Sequence, residues 1–236
     1  MVGFESRLER LEFKYLIGER TAERIVRQVE LYCQPDVHSE AARTDGDHPG
    51  YAVQSLYLDS PGLAFHQAKE RGDSERIKLR VRTYTDPEWV VLERKRRVAD
   101  VIDKTRATVG IDEYRDVCLG RVVPADADST SRRFLDEFAS SVARSGAGPT
   151  LHVRYQREAY SSVVDQYARL TLDRNIEAQR TSDWSLDADP DHWSSFDDWW
   201  GPEYFEPPAI LELKCHLKIP GWMTELVKVN GLRRES

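Results

Sequence analysis

Apolar and polar residues alternate with a period of two along most of this chain, the pattern of half-buried strands. The alternation marks eight segments: 11–17, 51–59, 75–84, 89–97, 101–109, 151–160, 167–173 and 209–217. Helical spacing is confined to fewer stretches. Ile25, Val26, Val29 and Tyr32 mark one over 19–32. A Ser60-Pro61 start signal opens another over 61–70, and 111–119 is a short third. Phe134, Leu135, Phe138 and Val142 mark 129–144, with Ser or Thr available as an N-cap, and 223–229 follows Pro220-Gly221. The mixture predicts an α+β fold in one domain, 1–236.

The strand faces divide by charge. In a strand, residues i, i+2 and i+4 share a face. Over 75–84 one face carries Arg76, Lys78, Arg80, Arg82 and Tyr84, and the other carries Ile77, Leu79, Val81 and Thr83. Glu-x-Lys recurs on three separate segments, as Glu12/Lys14, Glu93/Lys95 and Glu212/Lys214. Cations two apart on a strand lie about 6.6 Å from each other. At an effective dielectric of about 20, each such pair repels by roughly 2.5 kcal/mol before salt screening. Alternation alone also fits an ordinary half-exposed sheet. Runs of one sign fit a concave anion site, because a bound polyanion reverses the repulsion. Closing the strands into an antiparallel eight-stranded β-barrel tunnel, with helices packed outside, would put the charged faces inward.

Composition narrows the class. The chain has 236 residues, 40% hydrophobic and 32% charged, with a net charge of −7, a globular profile that argues against a general nucleic-acid binder. Residues 69–106 hold 12 Lys/Arg against 8 Asp/Glu, whereas 183–206 hold 8 Asp/Glu and no Lys or Arg. The stretch 181–208 reads as an acidic surface loop or insertion. Its Trp184, Trp193, Trp199 and Trp200 serve either to anchor that loop or to stack on an adenine ring. No segment approaches the roughly 18 apolar residues of a membrane span. Cys33, Cys118 and Cys215 are too far apart for a disulfide framework or zinc site, and no signal segment opens the chain. The expected location is therefore cytoplasmic.

The ordered motifs are Arg10-x-Glu12-x-Lys14-Tyr15, Val53-x-Ser55-Leu56-Tyr57-x-Asp59, Lys78-Leu79-Arg80-x-Arg82-x-Tyr84, Glu93-x-Lys95 and Lys104-x-Arg106. They continue with Tyr155-x-Arg157-x-Ala159-Tyr160, Arg169-Leu170-Thr171-Leu172-Asp173, Leu211-Glu212-Leu213-Lys214 and Pro220-x-Trp222. In this order they resemble the VTC (vacuolar transporter chaperone) domain, within the triphosphate tunnel metalloenzymes and near the CYTH phosphohydrolases. The resemblance covers nearly the whole chain. It implies an ATP-dependent polyphosphate polymerase that moves a terminal phosphoryl group onto a polyphosphate chain, with Mn²⁺ or Mg²⁺. Carried over, Lys14, Arg80, Arg82, Lys95, Arg169 and Lys214 would be catalytic. These six, with Arg71, Lys104, Tyr155 and Arg157, would bind phosphate, and Glu212 would hold the metal. Arg71 alone falls in a turn, where periodicity does not place it.

Two departures bear on activity. The hydrolase relatives open with Glu-x-Glu-x-Lys, and Arg10 stands at the first position here, which favours the polymerase branch. The family's last strand carries Phe-Ser-Lys, and this sequence ends at Arg233-Arg234-Glu235-Ser236, before such a motif. A tripolyphosphate or nucleoside triphosphate hydrolase and a non-catalytic polyphosphate-binding module are the alternatives. The partners implied are ATP and polyphosphate or triphosphate, no nucleic acid, and, as in eukaryotic members, a membrane protein.

Overall fold

The computed structural model describes residues 10–45, 50–84, 88–99, 101–165, 167–199 and 206–234. All eight alternating segments form strands: β1 (Arg10–Gly18), β3 (Tyr51–Asp59), β4 (Glu75–Thr83), β5 (Trp89–Val98), β6 (Val101–Gly110), β7 (Gly148–Ser162), β8 (Arg169–Arg180) and β10 (Pro208–His216). Two short strands were not expected, β2 (Cys33–Pro35) and β9 (Ser194–Ser195). The architecture is α+β, with a ten-stranded antiparallel sheet in the order β1-β10-β8-β7-β3-β4-β5-β6, β2 on β7 and β9 on β8. Eight strands thus become ten, and no pairing among the described residues closes β6 onto β1.

The chain forms two compact units. The first comprises Val53–Val153 and Ala178–Trp193. Its core is the apolar face of β3 to β6, with Leu56, Leu58, Leu79, Val81, Val90, Leu92, Ala107 and Val109 buried. Helices α4 (Tyr114–Cys118) and α5 (Ser129–Ser145) cover that face with Val117, Phe134, Leu135, Phe138 and Val142. Asp128 caps α5 by accepting from the Ser131 amide at 2.7 Å, and Gly146 ends it in the left-handed region at φ 61°. Helix α3 (Ala64–Glu70) starts under Asp59, whose carboxylate accepts from the amides of Phe65 at 2.9 Å and His66 at 3.0 Å. Asp59, part of the motif order, therefore serves the helix that follows β3.

The acidic stretch is held to this first unit over much of its described length. Trp184 and Leu186 pack against its core, and their carbonyls accept from Tyr114 Oη and from Gln54 Nε2. Trp193 lies with its ring 6.3 Å from that of His152. Trp184 is thus an anchor; Trp200 and the side chain of Trp199 lie outside the described residues.

The second unit comprises 10–52, Arg154–Glu177 and 194–234. Its core joins Tyr15 and Ile17 of β1, Leu170 and Leu172 of β8, and Ala209, Leu211, Leu213 and Cys215 of β10. Helix α1 (Glu19–Val29) adds Ala22, Ile25 and Val29, and α6 (Gly221–Val229) adds Trp222, Met223 and Leu226. Helix α2 (Val37–Asp45) stands where the sequence reads as a polar loop. Arg234 bridges to Tyr15 of β1, and its guanidinium lies 5.1 Å from the Phe13 ring centroid. Cys33, Cys118 and Cys215 are buried free thiols.

Candidate functional site

In the first unit the register builds a cationic face. Tyr57 stands opposite Arg80, Arg80 opposite Glu93, and Glu93 opposite Arg106. The neighbouring row is Lys78, Lys95 and Lys104, and the row on the other side starts with Ser55 and Arg82. Directly opposed residues share a face. Arg80, Arg82, Lys95 and Lys104, expected as phosphate ligands, therefore stand together with Lys78, Arg106 and one carboxylate.

That carboxylate, Glu93, is the hub, and only 3% of its side chain is exposed. Arg80 Nε donates to Oε2 at 2.5 Å, Lys104 Nζ reaches Oε1 at 3.0 Å, and Arg82 Nη1 lies 3.9 Å from Oε2. Burial alone would raise the Glu93 carboxyl, but Arg80, Lys104 and Arg82 hold it down to about 2. The shifts of the partners are unequal. Burial lowers Lys104, and Arg80 and Arg82 lower it further against the pull of Glu93. Burial would also raise the Tyr57 phenol, yet Arg80, Arg82 and Lys78 bring it below its ordinary value. Among the described residues, cations outnumber carboxylates in these paired rows. Arg80 Nη1 donates to Tyr57 Oη at 3.1 Å and Arg82 Nε to Ser55 Oγ at 3.2 Å, which fixes both forks.

The second unit has a mixed cluster. Glu12 stands opposite Lys214 and Lys214 opposite Arg169; Lys14 stands opposite Glu212 and Glu212 opposite Thr171. Lys214 Nζ lies 3.1 Å from Glu212, and Lys14 Nζ 3.7 Å from Glu12. The carboxyls of Glu12 and Glu212 share a hydrogen bond. Burial would raise Glu212, but that bond, Lys214 and Lys14 hold it far below the usual carboxylate range. Arg157 is tied to Asp173 and lies 5.0 Å from the Tyr155 ring centroid. Against the cost of burying its charge, Asp173, Tyr155 and Glu212 raise Arg157 above its ordinary value.

The VTC domain model matches residues 9–236. The chain belongs to the VTC domain family. It resembles a candidate adenylate cyclase of Bacillus halodurans at 14% identity, over 97% of this chain and 93% of that one, with a TM-score of 0.53. A candidate adenylyl cyclase of Hippeastrum with a dominant triphosphatase activity matches at 16% identity, over 97% and 90% of the two chains, with a TM-score of 0.45. At 14% identity the Bacillus halodurans match shows a common fold. No curated protein matches the sequence.

A divalent metal suits one part of this VTC domain. Glu12 and Glu212 supply two neighbouring oxygen-donor carboxyls, the ligand type a hard divalent cation takes. Beside Glu212, the buried Thr171 Oγ1 has no hydrogen-bond partner. No group of three His, Cys, Asp or Glu side chains gathers among the described residues. Two carboxylates leave most of an octahedral shell for phosphate oxygens and water, the usual habit of Mg²⁺.

Arg71 lies apart from these strands in sequence and setting. It follows α3 on an exposed turn and binds Asp73 at 2.8 Å. Glu12, Glu93, Asp173, Tyr57 and Thr171 are additions to the expected site. The repeated Glu-x-Lys was the signal for the first two. Arg94, beside Glu93 in sequence, is 10% exposed and bonded to Glu137 of α5 at 2.7 Å.

Proposed function

We propose that this VTC domain is an ATP-dependent polyphosphate polymerase that acts on phosphate chains in a cationic tunnel. The observation that carries the reading is the gathering of Arg80, Arg82 and Lys104 around buried Glu93, in a chain of the VTC domain family. A condensed phosphate chain is the ligand such a face best accommodates: each residue of the chain brings negative charge and acceptor oxygens, and arginine forks take two at once. Both cationic clusters are assigned this kind of ligand.

Within this mechanism the protein forms no covalent intermediate. Arg80 and Arg82 grip phosphate oxygens while Glu93, Tyr57 and Ser55 keep their forks in place. Lys95 and Lys104 in the first unit, and Lys14 and Lys214 in the second, add point charges for phosphate, and Arg169 adds a further fork. Arg157, steadied by Asp173, and Tyr155 flank the chain. Glu12 and Glu212 would hold Mn²⁺ or Mg²⁺, which supplies neutralisation of charge on the transferring phosphoryl group. The domain is read as cytoplasmic, with ATP as donor and the end of a polyphosphate chain as acceptor.

Incubation with ATP and Mn²⁺, followed by a gel stained for polyphosphate and an orthophosphate assay, tests the reading. Long chains are expected. Orthophosphate alone would establish a hydrolase, and binding without turnover a storage or sensing module.

A further inference from the structure

The charged face of the second unit ends in an aromatic pair. On β10, Glu212, Lys214 and His216 share one face. The Glu212 row holds Lys14 and Thr171, and the Lys214 row holds Glu12 and Arg169. Tyr167 lies two residues before Arg169, and its ring meets that of His216 edge to face, with centroids 4.6 Å apart and planes at 63°. Along β10 the row of Glu212 with Lys14 and Thr171 is followed by the row of Lys214 with Glu12 and Arg169, and then by His216 with Tyr167. Each step is two residues, about 7 Å.

Tyr167 has no place in the core. It is 46% exposed and keeps a left-handed backbone at φ 62°, a conformation that side chains larger than glycine seldom adopt. Backbone held in such a region at an exposed position is often part of a site. An aromatic face offers nothing to a bare phosphate, since its π cloud repels anions. It does suit the flat ring of a base.

A nucleoside triphosphate presents a matching order: charged phosphates with their metal, then a sugar and a base. We propose that Tyr167 and His216 form a nucleobase platform, with the phosphates of the bound nucleotide lying on Arg169, Lys214 and the Glu12–Glu212 pair. This inference rests on the phosphate-chain reading and deepens it by assigning the donor's base a position. The platform meets the π face of the base and none of its hydrogen-bonding edges, so purine identity matters little.

The test is calorimetric titration of ATP, GTP and inorganic tripolyphosphate, with Mg²⁺ at fixed salt, into wild type, Tyr167→Ala and Tyr167→Phe. Tyr167→Ala should weaken ATP and GTP by about 10-fold, the usual effect of removing one stacking ring, and leave tripolyphosphate unchanged. Tyr167→Phe should keep nucleotide affinity. Unchanged ATP affinity in Tyr167→Ala, or an equal loss for tripolyphosphate, would overturn the platform alone. Wild-type protein that binds neither ATP nor tripolyphosphate would overturn the phosphate-chain reading, and the platform with it.

Discussion

Arg157 of β7 holds Asp173 of β8 through two hydrogen bonds of 2.7 Å each, from Nε and from Nη2. Both side chains are mostly buried. Two prongs of the guanidinium are thereby committed within the protein. Removing one partner of a buried pair leaves an uncompensated charge. Asp173→Ala is expected to lower unfolding free energy by about 3 kcal/mol, measured by urea denaturation. Tripolyphosphate should restore part of the loss by supplying a new anion. A variant as stable as wild type would show that the pair adds nothing.

Glu93 links stability to pH. Its carboxyl is lower in the folded protein, at about 2, than its ordinary 4.5. A carboxyl depressed by folding stabilises the native state above its unfolded value and loses that contribution as pH falls towards the folded one. Stability should therefore fall between about pH 4.5 and about pH 2, with up to about 3 kcal/mol from this group. Denaturation of wild type and Glu93→Gln over that range isolates the effect. The gap between the two proteins should shrink as pH drops; a constant gap refutes the linkage.

Glu212→Gln and Arg80→Ala separate metal binding from phosphate grip. Glu212→Gln keeps size and hydrogen bonding but removes the charge that a hard cation requires. It should still bind polyphosphate, more tightly if anything, while metal-dependent turnover drops by at least about 100-fold. Arg80→Ala should weaken binding and turnover together. Steady-state kinetics and equilibrium binding on both variants decide the matter, and full turnover in Glu212→Gln would remove it from the metal site.

Arg94 makes a contrasting case. It projects to the side of β5 opposite Glu93, and Glu137 of α5 is its nearer acidic partner, with Asp103 at 3.5 Å. Glu137→Ala should cost roughly 2 kcal/mol of stability, because Asp103 compensates only in part. Affinity for tripolyphosphate should not change. Thermal melts with and without tripolyphosphate read both effects, and a loss of affinity would mean that Arg94 communicates with the cationic face.

The strands were legible because one face of each is apolar and buried while the other carries charge, so period two persists through the whole segment. Helix α2 was not. Its sequence, Val37 to Asp45, is mostly polar and gives no clear apolar stripe, so it reads as loop. The Lys and Arg of the site were legible as rows of one sign. The carboxylates that organise them were less so. That Glu93 collects Arg80, Arg82 and Lys104 depends on the register of β4, β5 and β6, and alternation within a strand says nothing about register between strands. Arg157 and Asp173 are 16 residues apart, and only the pairing of their strands brings them together. Arg94 shows the same dependence on tertiary structure: parity puts it on the apolar side, and the acid that meets it there belongs to α5.

The bridge from Arg234 to Tyr15 has a consequence for solubility. Strand β1 stands last in the hydrogen-bonding order, where a strand offers unpaired amides and carbonyls to any similar chain. Arg234 occupies part of that border and spreads a cation over the Phe13 ring. Charge on a border strand disfavours pairing of copies strand against strand, and among the described residues Arg234 puts a cation at that border.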